Sequence, residues 1–209
     1  MPIKTISNRL KWRFVVYFLF VGLLASAQAA NSPLSLIQSG SDRALKMLRS
    51  SQTGQAPSLR QQKGEILQIV DEYFNFHEMA KRALGRPWKS QPPEKQQEFV
   101  KLFKQLLFNT YINRVETYTG ANEKFSYDEE RIEGDYALVK TRIMGYKNTD
   151  VQVDYRLRLE EDGKWKAYDV VVEGISLVNN YRQQFDSILT GGSFDSLLDR
   201  MREKVSAQD

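Results

Sequence analysis

The chain has 209 residues, of which 41% are hydrophobic and 27% charged, with one histidine and no cysteine. This composition is typical of one globular domain and excludes a collagen, a coiled coil and a polytopic membrane protein. Residues 1–29 hold four of the 30 basic residues and no acid, so residues 30–209 carry 26 basic and 26 acidic side chains. That balance offers no steering toward phosphate backbones and argues against nucleic-acid binding.

The N-terminal segment has the pattern of a secretory signal peptide. Cationic Met1–Arg13 precedes apolar Phe14–Ala27, and small residues allow cleavage after Ala27 or Ala29. A membrane anchor is the alternative, but a spanning helix needs about 20 apolar residues and this stretch is shorter. We therefore expect residues 1–29 to be a signal peptide and the protein to be periplasmic.

Residues 30–209 are predicted to form a single domain that begins with helices. Apolar residues recur at helical spacing over residues 34–48 and 59–74, with a break near residues 54–57. A third, short helix is predicted to start at Asn75, with Glu78 as its capping-box partner and Gly85 as its end. A long helix opened by Pro92 and Pro93 and running to Gly120 follows it.

The hydrophobic period changes from 3.6 to 2 at Lys124, which indicates strands. Four strands are predicted, over Lys124–Ile132, Ala137–Ile143, Val151–Leu159 and Trp165–Val172. Helical spacing returns at Ile175, and Ser193 is predicted to cap a last helix. The sequence therefore predicts an α+β fold in which a four-stranded antiparallel meander sheet packs against a helical layer.

Cysteine and histidine, which serve many catalytic and metal centres, are nearly absent. Without cysteine, and with His77 as the only histidine, the usual zinc sites and Cys–His catalysis cannot be built. No Gly-x-Ser-x-Gly or phosphate-binding glycine motif occurs, and His77 is expected on the surface. We therefore predict no catalytic residue, no metal and no cofactor.

Two acids remain as candidates for a general base. Asp169 and Glu173 flank the apolar run Val170–Val172, where a buried carboxylate could accept a proton. The favoured alternative is a salt bridge to one of the strand arginines, Arg142, Arg156 or Arg158. The first interpretation leaves open an enzyme that acts on a small apolar substrate.

A basic run over Lys81–Trp88 lies at the end of the third helix. Its three positive charges could meet an anionic headgroup or an acidic partner. A solvated helix end, with cations placed favourably against the helix dipole, would give the same pattern. The sequence does not separate these two interpretations.

Several segments, in their order along the chain, resemble the MlaC-like, toluene-tolerance family of periplasmic phospholipid-binding proteins. They are Phe74–Gly85 with Trp88, Pro93–Glu94, Phe99–Phe103, Val153–Leu157, Trp165–Val178 and Tyr181–Arg182. The resemblance implies a monomeric soluble carrier that shuttles glycerophospholipid between an outer-membrane lipoprotein complex and an inner-membrane ABC transporter, and so maintains outer-membrane lipid asymmetry. An enzyme that uses Asp169 or Glu173, and a binding module for an exported protein, are the competing classes.

The resemblance also implies an apolar lipid cavity between the sheet and the helices. Periodicity alone does not distinguish a hollow core from a filled one, because both need the same inward-facing stripes. The residues expected to line the cavity are Phe99, Phe103, Leu106, Leu107, Tyr111, Val139, Ile143, Val153, Tyr155, Leu157, Val170, Val172, Val178, Tyr181 and Phe185. A two-chain lipid would need a volume near the upper end of the usual range of about 300–1,000 Å³.

Overall fold

The computed structural model describes residues 32–52, 59–116, 123–146 and 149–207. The predicted signal peptide and the break near residues 54–57 lie outside these ranges. Helices α1 and α2 span Pro33–Gln52 and Leu59–Tyr73, in the two segments where the apolar spacing predicts them. Within the described ranges, no helix is both long enough and apolar enough to cross a membrane.

Helix α3 spans Phe76–Leu84 and has the predicted ends. The Asn75 side chain accepts a hydrogen bond from the Glu78 backbone N–H at 2.8 Å, and Gly85 ends the helix at a φ of 69°. The predicted capping box is wrong in its second half. The Glu78 carboxylate accepts from Arg82 instead of from the Asn75 N–H. The Asn75 N–H donates to the Ala167 carbonyl of the sheet at 2.9 Å.

The remaining helices follow the predicted order. A short 3₁₀ helix precedes the long helix α4, whose predicted limit at Gly120 lies outside the described residues, and two further helices follow the sheet. Their bounds are Arg86–Ser90 for the 3₁₀ helix, Pro93–Glu116 for α4, Leu177–Thr190 for α5 and Phe194–Ser206 for α6. Ser193 caps α6 as predicted, because its hydroxyl accepts from the Ser196 N–H at 3.2 Å.

The sheet is an antiparallel meander in the order β1-β2-β3-β4-β5. Its strands are β1 Lys124–Glu133, β2 Tyr136–Tyr146, β3 Thr149–Leu159, β4 Trp165–Val172 and β5 Ile175–Ser176. The predicted four strands are present, but the fifth was missed and Ile175 is wrongly predicted as helical. Glu173 and Gly174 both have positive φ, at 48° and 79°, and this tight turn pairs Val172 with Ile175.

The apolar side chains form two packed regions. Helix α1 lies on the sheet, where Ile37 packs with Ala137, Val139, Leu157 and Ala167. Helices α3, α4, α5 and α6 pack around a second region rich in phenylalanine. Helix α2 packs against α1 and β4. The candidate site lies between α2 and the helical region.

Candidate functional site

An apolar cavity of about 180 Å³ lies between α2, α3, α4, the end of β4 and the start of α5. It is lined by Ile66, Leu67, Val70, Phe74, Phe76, Met79, Lys104, Leu107, Phe108, Tyr111, Val170 and Leu177. Five elements therefore contribute to one wall, which only the folded chain brings together. The cavity opens to the protein surface.

Helical spacing explains why α4 supplies a continuous side of the cavity. Lys104, Leu107, Phe108 and Tyr111 are separated by three, one and three positions, so they follow one stripe of the helix. Opposite them, α2 presents a second stripe that includes Val70. Two apolar stripes that face each other across a gap form a groove suited to an elongated apolar ligand.

The wall of the cavity exposes only apolar atoms. Lys104 contributes its aliphatic stem, while its ammonium group lies 2.6 Å from the Asp71 carboxylate and 5.5 Å from the centre of the Phe76 ring. No acid or nucleophilic hydroxyl occurs among the described lining residues other than the Tyr111 phenol. The cavity therefore favours a hydrocarbon ligand.

The size of the cavity differs from the expectation for a two-chain lipid. Its volume of about 180 Å³ is below the expected range. An apolar cavity of about 150 Å³ holds one benzene molecule, so this one accommodates a short piece of an acyl chain. The described conformation is therefore a narrow one.

Three of the predicted lining residues meet at this cavity, namely Leu107, Tyr111 and Val170. The predicted residues do not include the contribution of α2 or of the segment joining it to α3. The signal was present in the helical spacing of Ile66, Leu67 and Val70, but nothing in the sequence shows that this stripe faces α4. The lipid-binding role of the fifteen residues stays a prediction.

A second group of predicted residues packs inside the helical region, away from the cavity. Phe99 and Phe103 stack at 6.0 Å, and Phe103 meets the Tyr181 ring edge-on at 5.3 Å. These rings pack between α4 and α5 as buried core residues. The group consists of Phe99, Phe103, Leu106, Val178, Tyr181 and Phe185.

The strand residues of the prediction share one sheet face with Val170. The register pairs Val139 with Tyr155 and Tyr155 with Val170, so these three side chains form one row across the sheet. The same face carries Ile143, Val153, Leu157 and Val172. Helix α1 covers the row that contains Leu157, whereas Val172 is 42% exposed at the far end of β4.

Asp169 has a structural role in the described residues. The side chain is 2% exposed, and its oxygens accept hydrogen bonds from the Ser176 hydroxyl at 2.6 Å, the Val178 N–H at 3.0 Å and Arg156 at 3.1 Å. The favoured salt bridge is therefore present, and Arg156 is its partner. A carboxylate held by three donors is poorly placed to accept a substrate proton.

The other candidates for chemistry lie on the surface. Glu173 is exposed in the β4–β5 turn, where its carboxylate accepts from the Gln152 N–H. His77 is exposed, with its ring edge-on to Trp88 at 5.2 Å. The part of the chain that the structure describes contains no group of three or more His, Asp or Glu side chains that could hold a metal ion.

The fold and the site define a class: a small α+β protein with an apolar cavity between its helices and a meander sheet. The family model described as MlaC protein matches residues 38–203. The chain belongs to the MlaC family, which confirms the resemblance seen in the sequence.

Two relatives and one solved structure agree with this assignment. The chain is 24% identical over 206 residues to the "Intermembrane phospholipid transport system binding protein MlaC" of Haemophilus influenzae, covering 94% of each chain. It is 29% identical over 117 residues to "Toluene tolerance protein ttg2D" of Pseudomonas putida, covering 54% of this chain and 53% of that one. A phospholipid-binding protein from Ralstonia solanacearum, solved in complex with a phospholipid, matches with a TM-score of 0.70 and 25% identity, over 83% of this chain and 97% of the other.

Proposed function

We propose that this protein is a periplasmic carrier that binds glycerophospholipid with its acyl chains in the apolar cavity. In this role it shuttles lipid between an outer-membrane lipoprotein complex and an inner-membrane ABC transporter, and so maintains outer-membrane lipid asymmetry. The observation that carries the proposal is the cavity wall, which exposes only apolar atoms. The name of the Haemophilus relative, a phospholipid transport binding protein, and the phospholipid in the Ralstonia structure support it.

A lipid carrier needs such a cavity because exposing acyl chains to water is unfavourable in free energy. Each acyl CH₂ group exposed to water costs about 0.8 kcal/mol, so a two-chain lipid leaves a bilayer slowly unless a protein shelters both tails. Binding a lipid requires no nucleophile and no metal. The carrier therefore has no catalytic step, and the names of the relatives likewise describe binding and transport.

A cavity of about 180 Å³ must widen to hold both tails. The widening needs α2 to move away from α4, and an ion pair between Asp71 and Lys104 joins these helices across the cavity. This pair is partly exposed to solvent, and such pairs contribute at most about 1 kcal/mol. Separating the two helices there costs much less than the tails gain by burial.

The headgroup of the lipid stays outside the apolar wall, in water. Because the wall offers no polar atom for a headgroup to bind, the carrier accepts lipids that differ only in their headgroups. Competition between phospholipids with identical tails tests this statement. A strong preference for one headgroup would contradict it.

The proposal assigns residues 1–29 to a cleaved signal peptide and residues 30–209 to a monomeric carrier domain. Export through such a peptide is consistent with transport between two membranes. N-terminal sequencing of the protein recovered from the periplasm tests the cleavage after Ala27 or Ala29.

A pair of variants on one helix tests the cavity directly. Leu107→Arg places a charge in the apolar wall, where it cannot be solvated, and it should remove most of the co-purified phospholipid. Gln105→Arg adds the same charge at an exposed position of α4 and should leave the lipid content unchanged. Lipid is quantified by extraction and mass spectrometry after detergent-free purification, with circular dichroism as a check on folding. Equal lipid content in both variants would contradict the proposal.

A further inference from the structure

A second concave surface lies on the other side of β4 and α5 from the cavity. This arginine groove, of about 620 Å³, runs between α3, β3, β4, β5 and α5. Its lining includes Arg82, Arg156 and Arg182, which converge from three different elements. The groove shares no lining residue with the apolar cavity.

The arginine groove presents hydrogen-bond donors and a surplus of positive charge. Three guanidinium groups line it, against a single carboxylate, that of Asp169. The Asp169 oxygens are already occupied by Arg156, Ser176 and the Val178 N–H. Arg156 is paired with Asp169 and Arg82 with Glu78, so the Arg182 guanidinium is the positive charge of the groove that no carboxylate of the described residues neutralises, and it attracts anionic groups.

Each arginine is held in place by the fold. Arg182 donates twice to the Arg82 carbonyl, at 2.9 and 2.6 Å, and no carboxylate of the described residues pairs with it. Arg82 lies 4.1 Å from the centre of the Tyr168 ring and donates to Glu78 at 2.7 Å. Burial raises the pKa of the Tyr168 phenol. Such positioning lowers the entropy lost on binding.

An exposed apolar residue borders the arginine groove. Ile175, in β5, is 66% exposed and contributes to the lining, and its strand neighbour Val172 is 42% exposed. Arginine and tyrosine beside an apolar anchor is the composition of protein interface hot spots. Free phosphate would make no use of Ile175, and a flat bilayer surface would not enter a concave groove.

We propose that the arginine groove is a docking site for an acidic peptide segment of a partner protein, with an apolar residue of that segment packing on Ile175. This resolves the two interpretations of the basic run at Lys81–Trp88, because Arg82 of that run lines the groove. It goes beyond the proposed function, which assigns no docking surface, and it involves no residue of the cavity.

The test uses a fluorescent peptide in which glutamates flank one leucine, and a control peptide with glutamine at every glutamate. Fluorescence anisotropy should show that the acidic peptide binds at least about tenfold more tightly, with an affinity that falls as salt is added. Equal binding of the two peptides would overturn the proposal. Binding to anionic phospholipid vesicles without binding to the peptide would overturn it in favour of a membrane surface.

Matched variants locate the binding site while sparing the structural arginines. Asn179→Asp with Gln183→Glu adds two acids to the lining at exposed positions, and it should weaken acidic-peptide binding about tenfold or more. Ile175→Ser should weaken binding several-fold, whereas Ile132→Ser, at a 51% exposed isoleucine elsewhere on the sheet, should not. Unchanged binding in the groove variants would overturn the assignment. Their phospholipid content should equal that of the unmodified protein, so failure of this inference is distinguishable from failure of the carrier function.

Discussion

At the scale of single residues, Asp169 illustrates how a buried acid can be structural. Its carboxylate joins β3 to the N-terminus of α5, since Arg156 lies on β3 and the Val178 N–H belongs to the first turn of the helix. The negative charge is favourable there because the first turn of a helix leaves N–H groups unpaired. Asp169, on β4, therefore holds β3 and α5 together beside the arginine groove.

Asp169→Asn should destabilise the fold by about 2–4 kcal/mol, because the amide replaces a buried, charge-assisted acceptor with a partly repulsive donor. Urea unfolding followed by circular dichroism measures the loss. Asp162→Asn, at an exposed turn acid, is the control and should change stability little.

The same Asp169→Asn variant distinguishes a carrier from an enzyme. A carrier keeps its phospholipid when this acid is neutralised, provided that the protein still folds. A stable variant that loses a measurable catalytic turnover would contradict the structural role assigned to Asp169.

At the scale of elements, the end of α3 depends on one glycine. Gly85 has φ 69° and ψ −133°, a conformation that residues with a Cβ atom rarely adopt, and its N–H bonds the Lys81 carbonyl. This turn directs the chain into the 3₁₀ helix and brings the Arg82 carbonyl to Arg182. The geometry of the arginine groove thus depends on how α3 ends.

Two glycine-to-alanine substitutions should have opposite effects on stability. Gly85→Ala should destabilise the protein by about 1–3 kcal/mol through backbone strain. Gly64→Ala, in α2 with open space around the added methyl group, should stabilise it by up to about 1 kcal/mol through helix propensity. Thermal denaturation of both variants measures the signs, and stabilisation by Gly85→Ala would contradict the account of the turn.

The elements could be predicted from the sequence because their signals are local. The Asn75 cap, the Gly85 terminator and the alternation in β3 are all read within a few residues. β5 was missed because two residues are too few to show a period, and its turn needs Glu173 in a conformation that favours glycine.

The cavity was only partly predictable because its wall depends on contacts between distant elements. Phe103 and Leu107 lie one turn apart on α4 and both are buried in the helical core, yet only Leu107 also borders the cavity. The positions of α2 and α5 decide which of the two residues borders the cavity. The apolar pattern within α4 contains no information on those positions.

At the scale of the whole molecule, the two concave surfaces lie back to back. Neighbouring residues face opposite sides: Val170 and Leu177 line the cavity, while Asp169 and Val178 line the arginine groove. The apolar sheet face also continues past the cavity from Val170 to exposed Val172. The apolar residues Val170 and Val172 therefore extend the cavity wall along β4, where they could contact the distal part of a longer acyl chain.

The central claim, that this protein carries phospholipid, is tested most directly by native mass spectrometry of residues 30–209 purified without detergent. The account predicts a stoichiometric mass increase that lipid extraction resolves into glycerophospholipids. A bare protein mass that stays unchanged after incubation with phospholipid vesicles would contradict it.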